Sequence, residues 1–346
     1  MNQNQPQLPN GFCILETQVA GHLFSSAALG MLKNNGYVLK PFGKPECGAR
    51  ELNFYECVEK AEEDEVLKKL QQFIPRFHRK VRLTVNQKEH TFFQMEDLTH
   101  GMQQPCIMDV KIGKRTWDPL ASPHKRAVEE KKYVQCKQVL GICLPGFQVY
   151  NEKGDIKKYD RDYGKQLDVE GCREAIRNFL NSQHKVCRPL VQELLRQLYD
   201  IRLWFREQKL YHFYASSLLI VYDYDQLQKR LQQSEGQATA PECLHCRCAP
   251  HHQHQQHNGV PNGNHKTYIE NIKDSLEEHV VEDDTHIPKS PNNAYRIPGE
   301  CTCLHRFIKI RMIDFAHVFP ASNGSLDTNY LFGLESLISI LEDLLH

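Results

Sequence analysis

Residues 105–113 read PCIMDVKIG, and in this run an acid and a base, Asp109 and Lys111, stand two positions apart. In an extended strand that spacing turns both side chains to one face and Met108 and Val110 to the other. A carboxylate beside an ammonium above an apolar strand suits phosphoryl transfer. The acid can orient a hydroxyl, and the amine can neutralise phosphate oxygens. An ordinary ion pair on a solvated strand face has the same spacing, so the pair alone leaves both readings open. No G-x-x-x-x-G-K-[ST] loop, G-x-G-x-x-G fingerprint or H-E-x-x-H pair is present.

The elements that must position this pair read as mixed α and β. Residues 12–19, 23–32 and 36–40 resemble short strands, the third led in by the Asn35-Gly36 turn. Residues 48–73 carry a helical pattern, with Leu52, Tyr55 and Val58 on repeating faces and no internal Gly or Pro. Stretches 81–85 and 90–95 flank a polar segment like the arms of a hairpin. Beyond them come a strand at 107–112, a charged helix at 122–138 and a strand at 147–150. Helices follow at 168–182 and 189–208, the second with Pro189 in its first turn, where proline is tolerated. Strands at 211–224 and 307–315 and a closing amphipathic helix at 330–344 complete the pattern. A β-rich half followed by a larger mixed half predicts an α+β fold of two lobes around a cleft.

Composition bounds the function. The 346 residues hold 43 Lys+Arg against 43 Asp+Glu, which argues against a chain that wraps nucleic acid as its main ligand. Apolar residues make up 40% and charged ones 25%, enough for a true core. Apolar runs such as 218–222 fall far short of the ~20 residues of a membrane span. The N-terminus is polar and carries no secretory signature. Thirteen Cys without framework spacing read as reduced thiols of the cytosol or nucleus. Residues 226–305 hold 7 basic, 10 acidic and 9 His residues among Gln, Asn, Gly and Pro, and predict a disordered insertion. The expected organisation is a polar tail at 1–10, an N-lobe at 11–98, a C-lobe at 99–225, the insertion, and C-lobe completion at 306–346.

Three ordered motifs carry a family resemblance. P-x-x-x-D-x-K-x-G is filled by Pro105, Asp109, Lys111 and Gly113, S-S-L-L by residues 216–219, and I-D-F-A-H by residues 313–317. The chain resembles the inositol polyphosphate kinases over nearly all its length outside tail and insertion. The continuation Trp117-Asp118-Pro119 with Ala121-Ser122 is similar to the multikinase branch. The trisphosphate 3-kinases and hexakisphosphate kinases are the alternatives within the family.

The resemblance implies a two-lobed kinase-like fold, ATP as co-substrate with Mg²⁺, and an inositol polyphosphate acceptor, with phosphoinositide lipid as a further one. It implies nucleotide contacts from Lys40, its helix partner Glu51, the hinge residues Glu96 and Leu98, and Asp109 near the ribose and the acceptor hydroxyl. Lys111 would reach substrate and γ-phosphate, Asp314 would hold Mg²⁺, and His317 would touch substrate. Residues 111–137 contain 8 basic and 3 acidic side chains, as a ring of phosphates requires. Lys125 and Lys132, seven apart, would share a helical face there, with Glu129 pairing to both as the competing arrangement. Arg161 is a further phosphate contact. Gln148 stands where some multikinases carry arginine, which leaves ring position open.

Other readings compete. Cys243, His245, Cys246 and Cys248, with Cys301, Cys303 and His305, could ligate zinc, although low-complexity sequence surrounds them. A non-catalytic scaffold would be favoured had Lys40, Asp109, Lys111 or Asp314 been replaced. The expected state is a monomer of nucleus and cytoplasm.

Overall fold

The computed structural model describes residues 6–25, 28–151, 153–181, 185–235 and 307–346. Strands β1 (Cys13–Ile14), β2 (Leu32–Asn34), β3 (Tyr37–Pro41), β4 (Phe77–Val85) and β5 (Lys88–Glu96) form one antiparallel sheet, ordered β1-β2-β3-β5-β4. Its tight turns use positive φ at Asn35 and Gly36 (43° and 82°) and at Asn86 and Gln87 (51° and 64°), which matches the twist of paired strands. Alternation then sorts the two faces. Leu32, Leu39, Val85 and Phe92 close a small outer cluster, while Phe77, Phe93 and Met95 enter the main core.

Against that inner face lies α1 (Pro45–Glu59), with Pro45 in its first turn. Gly48 lets it approach closely, since a Cβ there would stand 2.2 Å from the Phe42 ring. The short α2 (Glu65–Leu70) is started by Asp64, whose carboxylate accepts from the amides of Val66 and Leu67.

The second sheet is built from β6 (Pro105–Ile112), β7 (Ile142–Tyr150), β8 (Ile156–Tyr159), β10 (Ser217–Asp223) and β11 (Ile308–Ile313), ordered β11-β10-β6-β7-β8. Residues facing each other across strands share a side, so the register defines rows. One side carries Lys111–Ser217–Ile313, Asp109–Leu219–Arg311 and Ile107–Val221–Lys309. The other sends Met108, Val110, Leu218, Ile220, Ile310 and Met312 into the core. Helices α6 (Val169–Phe179), α7 (Arg188–Glu207) and α9 (Thr328–Asp343) contribute buried faces to that core. On α7, Leu190, Leu194, Leu198, Ile201 and Phe205 recur at helical spacing. A small pair, β9 (Tyr211–Phe213) with β12 (Val318–Pro320), completes the described sheets. The α+β fold of two lobes is thus present, the C-lobe being the larger.

Several boundaries differ from the sequence expectation. Among the described residues, 23–25 and 28–31 form no strand, and 12–19 contribute only Cys13–Ile14. The long helix over 48–73 is two helices, because Asp64 restarts the chain. The helix over 122–138 is also two, α3 (Pro123–Glu130) and α4 (Val134–Leu140), broken at Tyr133 in the left-handed region with φ 53°. The strand over 211–224 divides at Ala215, with φ 53°. Residues 226–235, assigned to the insertion, lie in α8 (Tyr224–Glu235). The rest of the insertion, with the possible zinc ligands at 243–248 and 301–305, falls outside the described residues, as do positions 1–5 of the tail. Gln7 of that tail exchanges backbone and side-chain hydrogen bonds with Asn86, and Leu8 packs on the outer cluster.

Gly113 explains its fixed place at the end of the motif. Its φ is 106°, its amide donates to the Gly141 carbonyl at 2.7 Å, and a Cβ would stand 2.4 Å from the Asn329 amide nitrogen. Gly113→Ala is therefore expected to lower unfolding free energy by about 1–3 kcal/mol. A thermal melt in which the midpoint does not fall would contradict this account of the motif.

Candidate active site

The N-lobe sheet brings Lys40 on β3 toward α1, and the sequence ends β11 with Asp314 at the same point. The Lys40 ammonium lies 2.7 Å from Glu51 Oε1 and 2.6 Å from Asp314 Oδ1. Glu51 is buried, and its Oε1 also accepts from the Phe315 amide at 3.2 Å. Asp314 itself is held in the left-handed region at φ 66°, with the Ser216 hydroxyl donating to its carbonyl at 2.8 Å. Burial works to lower the pKa of Lys40, but the carboxylates of Asp314 and Glu51 outweigh it and hold the ammonium protonated well above its ordinary range. Burial works to raise Asp314, and the charges of Lys40 and Lys111 hold it below the usual carboxylate range.

This triad borders a cavity of about 940 Å³, with Val38, Met95, Glu96, Leu98, Ile107, Asp109 and Leu219 among its lining. Ile107 on the floor packs with Leu98 and the buried Val221 in one apolar cluster, which gives a planar aromatic group a surface to lie on. The segment 96–99 forms one edge, and Lys309 donates to the Leu98 carbonyl at 3.0 Å while lying 3.8 Å from Glu96. The cavity combines an apolar slot with a few charged groups at one end, as nucleotide sites do.

Asp109 is buried, and its Oδ1 has no hydrogen-bond partner. Burial pushes its pKa up to about 6, against the pull of Lys111, and nearby Asp314 adds to the rise. Lys111 donates to the Ala215 carbonyl at 2.5 Å and to the Ser217 hydroxyl at 3.4 Å. An ammonium has three donors, so one remains for a ligand. The shared face expected from the spacing is present, although the pairing with β7 shifts register between these two residues.

A divalent cation fits here on the chemistry of the donors. Hard divalent ions bound with nucleotide phosphates take one or two carboxylates from protein. Asp314, with 39% of its side chain exposed at the cavity edge, and the unpartnered Asp109 Oδ1 supply such donors. Among the described residues no group of three or more potential ligands could hold an ion alone. Phosphate oxygens would have to complete the coordination.

The acceptor side is arranged differently from expectation. His317 Nδ1 lies 2.5 Å from Asp118 Oδ2, and Asp118 is buried. Burial, then the charge of Lys125, pushes the imidazole below its ordinary pKa, against Asp118. The neutral ring therefore donates from Nδ1, because a carboxylate only accepts, and Nε2 is left as an acceptor. Lys125 on α3 is exposed, close enough to His317 to act on it electrostatically. Lys132 does not share its helix. It follows the end of α3, before the break at Tyr133, with its ammonium 2.7 Å from Glu129. Glu129 pairs with that lysine alone of the two. Arg161, first residue of α5 (Arg161–Gln166), donates to the Gly21 carbonyl at 2.7 Å. Gln148 is fully buried and donates to the Pro105 carbonyl at 2.8 Å, while its Oε1 has no hydrogen-bond partner.

With this geometry in place, comparison with known proteins is decisive. A family model described as inositol polyphosphate kinase matches residues 92–342. The chain belongs to the inositol polyphosphate kinase family. Inositol polyphosphate multikinase of Homo sapiens is 29% identical over 97% of this chain and 89% of its own. That of Mus musculus is 30% identical over 98% of this chain and 94% of its own. Inositol phosphate multikinase Ipk2 of S. cerevisiae, solved with ADP and Mn²⁺, matches with a TM-score of 0.56 at 18% identity, covering 90% of this chain and 100% of that one. At that identity the likeness shows the fold.

For this inositol polyphosphate kinase, sequence reasoning missed Asp118, which it used only as a branch marker. Nothing local ties Asp118 to His317, 199 positions away. It also missed residues 15 and 17–22, which line the cavity.

The raised pKa of Asp109 carries a stability consequence. A carboxyl that binds its proton more tightly when folded lowers stability as pH rises from about 4 to about 6. Asp109→Asn should raise the thermal midpoint at pH 7–8, with the gain vanishing below about pH 4. Melts of both proteins across pH test this, and a gain independent of pH would refute the assigned ionisation.

Proposed function

We propose that this chain is an ATP-dependent kinase of the multikinase kind, carrying the γ-phosphate of Mg-ATP to ring hydroxyls of inositol trisphosphate and then tetrakisphosphate. The observation that carries this reading is the Glu51–Lys40–Asp314 triad at the charged end of an apolar cavity, with the unpartnered Oδ1 of Asp109 beside it. The adenine occupies the slot between Val38 and Ile107, against segment 96–99.

Phosphoryl transfer asks little covalent chemistry of the protein, so positioning and charge neutralisation dominate. A divalent cation held by Asp314, when bound, supplies charge neutralisation on the nucleotide phosphates. Lys40, fixed from two sides, and the free donor of Lys111 meet phosphate oxygens. Asp109, with its pKa about 6, is ionised at neutral pH and accepts from the attacking hydroxyl. His317 Nε2, an acceptor in the neutral ring, suits a hydroxyl of the acceptor better than a phosphate. Lys125, Lys132 and the other basic groups of 111–137 receive the ring phosphates.

Phosphoinositide headgroups present the same ring chemistry. The helix α3 has no buried residue, and Leu120 and Val128 are exposed near Lys125, which supports access by a lipid-borne ring. The expected setting is a monomer in nucleus and cytoplasm, and the eight described cysteines, all free thiols, suit a reducing compartment.

Lys111→Ala and Asp314→Asn should each lower kcat by at least ~100-fold, the scale of losing one preorganised charge at a reacting phosphate. The assay incubates inositol trisphosphate with Mg-ATP and resolves product isomers, with circular dichroism confirming the fold. Full turnover in either variant would sink the site assignment.

A further inference from the structure

Residues 15–19, expected as the end of a strand, and residues 20–22, which join the two expected strands, together form a strap. Leu15 and the run from Thr17 to His22 all line the cavity. Gln18 folds the strap on itself. Its amide nitrogen donates to the carbonyls of Ala20 and His22 at 2.8 and 3.0 Å, and its oxygen accepts from the Met31 amide at 2.9 Å. Every polar atom of that side chain is thus used to shape backbone.

The strap starts from the N-lobe, where β1 pairs with β2, but it is fastened to the C-lobe. The Val19 side chain packs on the cavity floor with Leu98, Ile107 and Val221. Its carbonyl sits over Gly146 on β7, where a Cβ would come within 2.0 Å. Gly146 stands directly opposite Asp109 in the register, so the strap crosses the sheet beside the catalytic carboxylate. Lys158 on β8 donates to the Glu16 carbonyl at 2.8 Å, and Arg161 donates to the Gly21 carbonyl at 2.7 Å. The base of Arg161 is firm. α5 lies flat on β7, since Gly164 would bring a Cβ within 1.9 Å of the Leu144 carbonyl.

We propose that Arg161, with Lys158, is a latch that holds the strap as a wall of the nucleotide cavity. Arg161 is then a positioning residue for the nucleotide and not a contact to the phosphates of the acceptor. The fastenings lie at both ends of the segment that faces the cavity, and Val19 lies between them on the floor. Releasing either end frees backbone that encloses the nucleotide, while the acceptor side around His317, Asp118 and Lys125 is untouched. This rests on the reading of the cavity as the nucleotide site.

The two roles of Arg161 part in kinetics. In Arg161→Ala of the full chain, ADP affinity should weaken and KM for ATP should rise, each roughly 5- to 10-fold, the net worth of one ordinary hydrogen bond. KM for inositol trisphosphate should not change. Arg161→Lys, which keeps a donor, should recover most of the loss, and Lys158→Ala with Arg161→Ala should deepen it. A rise in KM for inositol trisphosphate with ADP binding intact would overturn the latch and restore Arg161 as an acceptor contact. Unaltered constants for both substrates would also overturn it. Failure of the unmodified chain to bind ADP is a separate result, which removes the nucleotide reading itself.

Discussion

The ammonium of Lys40 is held between two carboxylates that come from opposite ends of the sequence. Its partner Asp314 is 274 positions away, and Glu51 is 11. Removing one member of a fully buried pair costs about 3–5 kcal/mol, and the cost here is smaller because 24% of the Lys40 side chain is exposed. The geometry this contact demands reaches further than its energy. α1 must approach β3 closely, which Gly48 allows, and the chain after β11 must turn through the left-handed region at Asp314. Phe315 then enters the core against Phe54, with ring centroids 4.3 Å apart. Glu51 joins these demands by accepting from both Lys40 and the Phe315 amide.

The second constraint is the two-sidedness of the C-lobe sheet. β6 sends Met108 and Val110 into the main core and Ile107, Asp109 and Lys111 to the cleft. Each fixed position of the motif has a separate cause. Pro105 opens the strand, where a missing amide is tolerated, and its carbonyl takes the Gln148 amide. Gly113 ends it where β6 meets α9 and no side chain fits. Apolar packing therefore sets the height of the two charged groups above the floor.

Much of this was legible because alternation and motif order survive in the sequence. The hairpin of β4 and β5 and the strand β6 came from such local signals, and the grouping of Lys40, Glu51, Asp109 and Asp314 from the family resemblance that the ordered motifs carry. What escaped depends on single residues that override a pattern. Asp64 caps a new helix inside a run that looks continuous. The helix of Lys125 ends at Glu130, short of Lys132, and Tyr133 at φ 53° starts the next one. Arg161 was placed on the acceptor by its charge, and its partner is a backbone carbonyl 140 positions away. Charge announces itself in a sequence, but a carbonyl does not.

Between β10 and β11 the chain departs and returns at neighbouring rungs. Tyr222 pairs with Ile308, and the Asp223 amide donates to the Phe307 carbonyl at 3.0 Å. The mouth of the intervening segment is thus closed by the sheet itself. Once such a mouth is closed, doubling the enclosed length adds only about 0.6 kcal/mol of chain entropy. Residues can accumulate or vanish at this position across generations with little penalty to folding, so long as β10 and β11 still find each other. The fold contains a port for evolutionary growth, set on the edge of the sheet whose next rows carry the active site.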